Sequence, residues 1–354
     1  MSLCNAAAET SVGCQAKEAA VVDFDGISEA SAVRPRVSVV MPVYNGAVFL
    51  EAAVASVLAQ SCPDFELVVV DDGSTDETPA ILAQLAEGDA RIRLLRKPNS
   101  GISDTLNAGI EAARGEWIAR LDADDLMLPQ RLERQLAFVD ADPDLVAAGS
   151  YYEHINAAGE LRGVLHPLPR NRAELERFLA AGEPLAFTHP TMIYRRDLAR
   201  AIGGYDRAFE PCEDGHFFAR MLASGGLILI QPEVLTRYRV HPGSISSRKM
   251  AQQFTMQRFI YHNFYAERAG RPPLTYEAYL AREQGRPVMD RLRTRLALAS
   301  EYCYRAYTAA RVEGRQAKAA VYLAAASSLR PKKALRRGLR GLMARVVPAV
   351  RLAP

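Results

Sequence analysis

The 354-residue chain has one tryptophan, five cysteines and no apolar run approaching the roughly 18–20 residues that a bilayer-spanning helix needs. Cys4, Cys14, Cys62, Cys212 and Cys303 have neither the paired spacing of a zinc site nor the density of a disulfide scaffold, so a reducing compartment is expected. Residues 1–35 lack the basic start and apolar core of a secretory signal. Their mixture of Ala, Ser, Glu and Gly predicts a poorly ordered leader, and a cytoplasmic location is expected. No GxGxxG follows the first apolar strand pattern, and no GxxxxGK[ST] occurs anywhere. These absences weaken a dehydrogenase reading and remove the usual phosphate loop. A bound phosphate would need another neutraliser.

With 49% hydrophobic residues the chain can bury a substantial core, and its near-neutral total hides a division of charge. Residues 1–249 hold 24 Lys/Arg against 35 Asp/Glu, whereas residues 250–354 hold 20 against 6. An acidic body is followed by a basic region suited to an anionic surface.

Four times a buried-strand pattern is followed by a helical one. VSVVMPVY (37–44), FELVVV (65–70), RIRLLRKP (91–98) and EWIARLD (116–122) read as strands, with helical spacing after each. Parallel strands need crossover connections, so this alternation predicts an α/β sheet covered on both faces, with ligands beyond the carboxyl ends of the strands. Those ends read PVYN, DDGSTDE, RKPNSG and DADD. After residue 145 come the strand candidates LVAAGSYYEHI, PTMIYRR, GLILI and VLTRYRV, interrupted by a helical EDGHFFARMLASG. From about 250 helices dominate, with an Ala-rich hairpin at about 293–310 and 315–329.

The cluster ARLDADD asks for a cation, a positive side chain or an exposed loop, because unpaired carboxylates repel one another and resist removal from water. Asp122 and Asp124 lie two apart and, on a strand, would point to the same side, while Asp125 would face elsewhere. An all-oxygen pair suits Mg²⁺ or Mn²⁺. Taken alone, the pattern reads more readily as Asp124 or Asp125 capping a helix that starts near Pro129.

Taken together, PVYN, VVVDDGSTDET, RKPNSGISDTLNAGI, GEWIARLDADD, GGYD and CEDGHFFAR, in this order over about residues 36–247, resemble the family 2 inverting glycosyltransferases. The resemblance implies the GT-A fold, a Rossmann-like mixed sheet flanked by helices that binds a nucleotide sugar, here with a C-terminal helical extension over 248–330. It also implies a hexosyltransferase activity that depends on divalent Mn or Mg. By that resemblance Pro42, Tyr44, Asn45, Asp71, Asp72, Arg96, Asn99, Gly101 and Asp122 would meet the nucleotide-sugar donor. Asp124 would hold the metal, Asp214 would be the catalytic base, and Glu213 would support it or contact the acceptor. His241 matches a position where some relatives place a metal ligand or a phosphate-contacting loop, and His189 suits orienting the acceptor wall or a nearby backbone better than binding metal. His216 and Phe217 depart from the commonest form of this helix, which bears on the acceptor.

The resemblance implies transfer to a glycan or lipid-linked acceptor in polysaccharide assembly. The alternatives are a nucleotide-sugar hydrolase, a nucleotidyltransferase and a noncatalytic glycan- or nucleotide-binding scaffold. In residues 331–354, Leu335, Leu339, Leu342, Met343, Val346 and Val347 make one apolar stripe among Lys and Arg, a pattern suited to an anionic membrane or to packing on the body. Interleaved aromatics are missing there, so no nucleic acid is expected.

Overall fold

The computed structural model describes residues 22–23, 34–241 and 249–331. The strands are β1 (Val22–Asp23), β2 (Val37–Val43), β3 (Phe65–Asp71), β4 (Ile92–Arg96), β5 (Trp117–Arg120), β6 (Leu126–Met127), β7 (Leu145–Ile155), β8 (Leu161–Leu165), β9 (Ile193–Arg195) and β10 (Leu227–Arg239). They form one sheet in the order β1-β4-β3-β2-β5-β9-β7-β10-β6, with β8 paired to β7. Strands β4, β3, β2 and β5 run parallel, as the alternation predicts. Antiparallel β9 then joins β5 to β7, and β7 runs parallel to β10. The result is the mixed sheet flanked by helices of the GT-A arrangement.

Burial explains the pattern of the central strands. All seven residues of β2 are buried, because Val37, Val39, Met41 and Val43 face one layer and Val40 faces the other. The first layer is α1 (Ala47–Leu58) with α2 (Thr78–Gly88) and α4 (Arg131–Asp140). The second is α3 (Ile102–Ala112) and α7 (Glu213–Ala223), with α5 (Arg172–Ala180) and α6 (Arg196–Ala201) beside them.

The C-terminal helices are α8 (Met250–Arg268), α9 (Tyr276–Gln284), α10 (Val288–Val312) and α11 (Gln316–Leu329). Phe259, Ile260, Tyr261 and Phe264 of α8 belong to the same core as α7, so this helix is built into the body. Helices α10 and α11 pair as the expected hairpin, with Ser300 Oγ donating to the Ala326 carbonyl at 2.9 Å.

One expectation needs correction. GLILI and VLTRYRV are not two strands but the single strand β10. Pro232 has no N–H for the ladder, and the register shifts between Gln231 and Val234 to accommodate it.

Candidate functional site

The ends of β2, β3 and β4 are joined by the polar residues that the sequence places there. Asn45 has φ 51°, a left-handed conformation that Asn tolerates. Its N–H donates to Ser74 Oγ at 2.9 Å, and its Oδ1 accepts from the Thr75 N–H at 2.8 Å. Asp71 Oδ1 accepts from the Ser74 N–H at 2.9 Å, and Arg96 Nε lies 3.3 Å from Asp71 Oδ2. Asp72 accepts from the backbone N–H groups of Ser100 at 2.9 Å and Gly101 at 3.1 Å, and it pairs with buried Lys97. Gly73 must be glycine: its φ is +74°, and a Cβ there would lie 2.8 Å from the Asn99 nitrogen. Tyr44 and Asn99 are exposed at this end of the sheet, whereas Pro42 is buried in β2 opposite Val70. Tyr44, Asn45, Asp71, Asp72, Arg96, Asn99 and Gly101 therefore share one crevice edge.

The fourth strand end carries the acids. Strand β5 stops at Arg120, and Asp122–Asp125 form a turn closed by the Asp125 N–H donating to the Asp122 carbonyl at 3.1 Å. Strand alternation no longer applies beyond that point, which corrects the expectation that Asp125 faces away. Asp122, Asp124 and Asp125 each bring one carboxylate oxygen within 4.8 Å of the others. The capping alternative is not realised, because α4 begins at Arg131 with no side-chain cap.

Strand β10 closes the cluster from the other side. The Arg239 N–H donates to Asp125 Oδ1 at 2.7 Å, and its Nε donates to the Asp124 carbonyl at 2.7 Å. This anchorage sets His241 Nε2 2.9 Å from Asp124 Oδ2. Asp125 Oδ2 is buried with no hydrogen-bond partner. Burial, reinforced by Asp124 and Asp122, pushes the Asp125 carboxyl well above the usual range. Three clustered carboxylates, one with an orphaned oxygen, and an adjacent imidazole fit a hard divalent cation.

The carboxyl pair expected to act on the acceptor begins α7. Asp214 Oδ1 accepts from the Gly215 N–H at 2.7 Å, whereas Glu213 Oε2 is buried without a partner. Burial pushes the Asp214 carboxyl up to about 6; Arg120 opposes the rise and Asp122 adds to it. Burial and the Asp214 charge push Glu213 up to about 8.

Arg120 joins the two acidic groups. It is buried, donates through Nη2 to Asp122 Oδ1 at 2.5 Å, and stands close enough to lower the proton affinity of both Glu213 and Asp214. Its Nε and Nη1 have no hydrogen-bond partner. Around it, His189 Nε2 lies 2.7 Å from the Tyr205 hydroxyl, which donates to the Tyr194 hydroxyl at 3.2 Å. Burial, then Arg120, holds His189 well below the ordinary imidazole value. Phe217 stacks on Tyr205 with ring centroids 4.1 Å apart, and His216 stacks on Phe209.

Sequence reasoning missed Lys97, Arg120, Glu210 and Arg239. Glu210 Oε1 accepts from the Ser103 N–H at 3.1 Å and the Ser103 hydroxyl at 2.7 Å, capping α3 where Gly101 has no side chain to do so. It thereby ties the loop before Asp214 to the loop beside Asp72. A basic residue two before the DxD was the available signal for Arg120. A groove of about 680 Å³ lined by Val146, Leu175, Leu179, Leu222 and Leu227 lies elsewhere, at the amino ends of β7 and β10.

The sheet has the GT-A arrangement, and comparison with known proteins places the chain in a family. Residues 38–203 match the family model for Glycosyl transferase family 2. EpsE of Bacillus subtilis (strain 168), which carries the name of a glycosyltransferase, is 31% identical over 254 residues, 70% of this chain and 87% of its own. The succinoglycan biosynthesis protein ExoO of Rhizobium meliloti (strain 1021) is 34% identical over 227 residues, 60% of this chain. The match spans 63% of the length of ExoO. Among solved structures, the mannosyltransferase PcManGT from Pyrobaculum calidifontis, in complex with GDP-Man and Mn2+, aligns with a TM-score of 0.50 at 20% identity. That alignment covers 89% of this chain and 82% of PcManGT. The chain belongs to glycosyl transferase family 2.

Proposed function

We propose that the protein transfers a sugar, with inversion, from a nucleotide-sugar donor to a hydroxyl of a glycan or lipid-linked acceptor in cell-surface polysaccharide assembly. The observation that carries this reading is buried Arg120, which donates to Asp122 and lies close enough to Glu213 and Asp214 for its charge to lower their proton affinity, so that one guanidinium serves both acidic groups. Tyr44, Asn45, Asp71, Asp72, Arg96, Asn99 and Gly101 would receive the nucleoside, with Pro42 beneath them and Asp122 on the ribose side. Asp124 and His241, with Asp125 adjacent, would hold Mn or Mg, whose charge screens a departing diphosphate when the ion is bound. The Mn2+ and GDP-Man of PcManGT support the donor and metal parts of this reading.

A sugar hydroxyl is a poor nucleophile until a base takes its proton. Asp214, raised to about 6, is ionised at neutral pH yet basic enough to accept that proton. As it does so, the acceptor oxygen bonds to the anomeric carbon from the face opposite the diphosphate. The anomeric C–O bond breaks, and its electron pair leaves on the phosphate oxygen. Glu213, raised to about 8, keeps its proton at pH 7 and can donate a hydrogen bond to the acceptor. For location, we propose the cytoplasmic face of a membrane, with 331–354 contributing anionic-lipid contact; residues 332–354 lie outside the described structure. No helix among the described residues is long and apolar enough to cross a membrane.

The test is turnover of a nucleotide-sugar panel with Mn²⁺, with and without a polysaccharide-fragment acceptor. Acceptor-dependent product is expected. Release of free sugar at the same rate without acceptor would assign hydrolysis instead.

A further inference from the structure

The first half of α10 has an apolar face that the other described residues leave exposed in part or in most of its area. Val288, Met289, Leu292 and Leu296 are 68%, 60%, 44% and 38% exposed. At 3.6 residues per turn they fall within an arc of about 100°. Arg291 and Arg295 border that arc on one side and Arg293 on the other, and all three are exposed. The intervening acid, Asp290, points away from the arc and is paired with Arg293 at 3.0 Å and Arg286 at 4.0 Å. Ser300 already packs on Ala326, close to the end of α11 at Leu329, so α11 leaves this half of α10 uncovered.

We infer that this face of α10 lies in the plane of an anionic lipid bilayer, with the four apolar side chains in the acyl boundary and the flanking arginines among the headgroup phosphates. Charge complementarity selects this occupant. A second copy meeting the same face about a twofold axis would set Arg291 and Arg295 against their own equivalents. The chain after Pro331 carries basic side chains and no acid, so it offers these arginines no counter-charge either. An anionic lipid surface satisfies both halves of the pattern. The docked helix would also be coupled to the site. Arg305 of α10 donates to Gln253 Oε1 at 2.8 Å, and Gln253 Nε2 donates at 3.2 Å to the Pro211 carbonyl, two residues before Glu213.

This inference needs no residue beyond Pro331 and no donor, so its failure is separable from that of the transfer reading and of the tail. The experiment is co-sedimentation of the full chain with phosphatidylcholine vesicles, with and without phosphatidylglycerol. The wild type should bind the anionic vesicles preferentially, and Leu292→Glu with Leu296→Glu should weaken that binding about tenfold or more. Arg291→Gln with Arg295→Gln should weaken it comparably on anionic vesicles and leave the weak binding to neutral ones unchanged. Turnover with a soluble acceptor should persist in both, which checks that they fold. Unchanged vesicle binding in both double variants would overturn the inference. So would conversion of a wild-type dimer to a monomer by the leucine variant, which would assign the face to self-association. A loss confined to Lys332→Gln, Lys333→Gln, Arg336→Gln and Arg337→Gln in the full chain would overturn it in favour of the tail.

Discussion

Two groups of carboxylates, Asp72 beside the ends of β3 and β4 and the Glu213–Asp214 pair at the start of α7, stand under opposite conditions. On the proposed donor side, Asp72 is buried but has two backbone N–H donors and the Lys97 ammonium. On the proposed acceptor side, Glu213 is largely withdrawn from water with an oxygen that has no partner, and Asp214 has the Gly215 N–H and a more distant arginine. The residue type is the same and the outcome differs. Where donors and a cation surround the carboxylate, its oxygens are paired, and it ties the loop after β3 to the loop before α3. Where they are withheld, proton affinity rises toward neutrality, and the group becomes one that can exchange a proton.

The comparison breaks most visibly at Asp214. Asp214→Asn removes the proton acceptor while conserving shape, so single-turnover transfer should fall on the order of 10²–10⁴-fold, with the donor dissociation constant nearly unchanged by calorimetry. Near-normal turnover would move the base elsewhere. On the other side, Lys97→Met leaves Asp72 buried without its cation. Breaking a buried pair by removing one partner costs about 3–5 kcal/mol, so denaturant unfolding should show a large stability loss. A loss under about 1 kcal/mol would mean that the backbone N–H groups alone satisfy Asp72.

Proton linkage gives a third contrast. Glu213 rises from 4.5 to about 8 and Asp214 from 3.8 to about 6, so between these limits the folded chain holds protons that the unfolded chain has released. Their contribution to stability is therefore favourable at low pH and is lost as pH rises through the folded values. Glu213→Gln should flatten the decline of the melting temperature between about pH 5 and pH 8. Transfer, in contrast, should fall as pH drops below about 6, where Asp214 takes up its proton. An unaltered melting profile in Glu213→Gln would contradict the origin assigned to that decline.

The two sides also differ in how far they could be read from sequence. Strands β2 to β5 were legible because parallel strands covered on both faces read as continuous apolar runs, and their polar ends stand out against them. The two-residue β6 is too short to show a period, β8 (LRGVL) has neither a continuous apolar run nor an alternation, and Pro232 made β10 look like two elements. The acids were legible by motif, but their environments were not. Arg239 meets Asp124 across 115 positions, and Glu210 meets Ser103 across 107. Spacing cannot show such contacts. Arg120, lying only two residues before Asp122, was hidden for another reason: its burial depends on the Tyr194, Tyr205 and His189 wall that later segments bring over it.

Glu210 gives the smallest and most selective test, because it touches both sides without belonging to either group. Its carboxylate caps α3 through Ser103, and its charge helps to raise Glu213. Glu210→Ala should cost about 1 kcal/mol of stability, the usual value of a lost cap. Glu210→Gln keeps an oxygen that can accept from Ser103 and removes only the charge, so it should restore most of that stability. If Glu210 acts merely as a cap, donor KM and kcat should recover together in the Gln variant. If it also sets the electrostatics of the carboxyl pair, the Gln variant should keep a normal donor KM while the Glu213-dependent part of the melting profile moves to lower pH, because the repelling charge is gone. A Gln variant indistinguishable from wild type in that profile would confine Glu210 to the donor side.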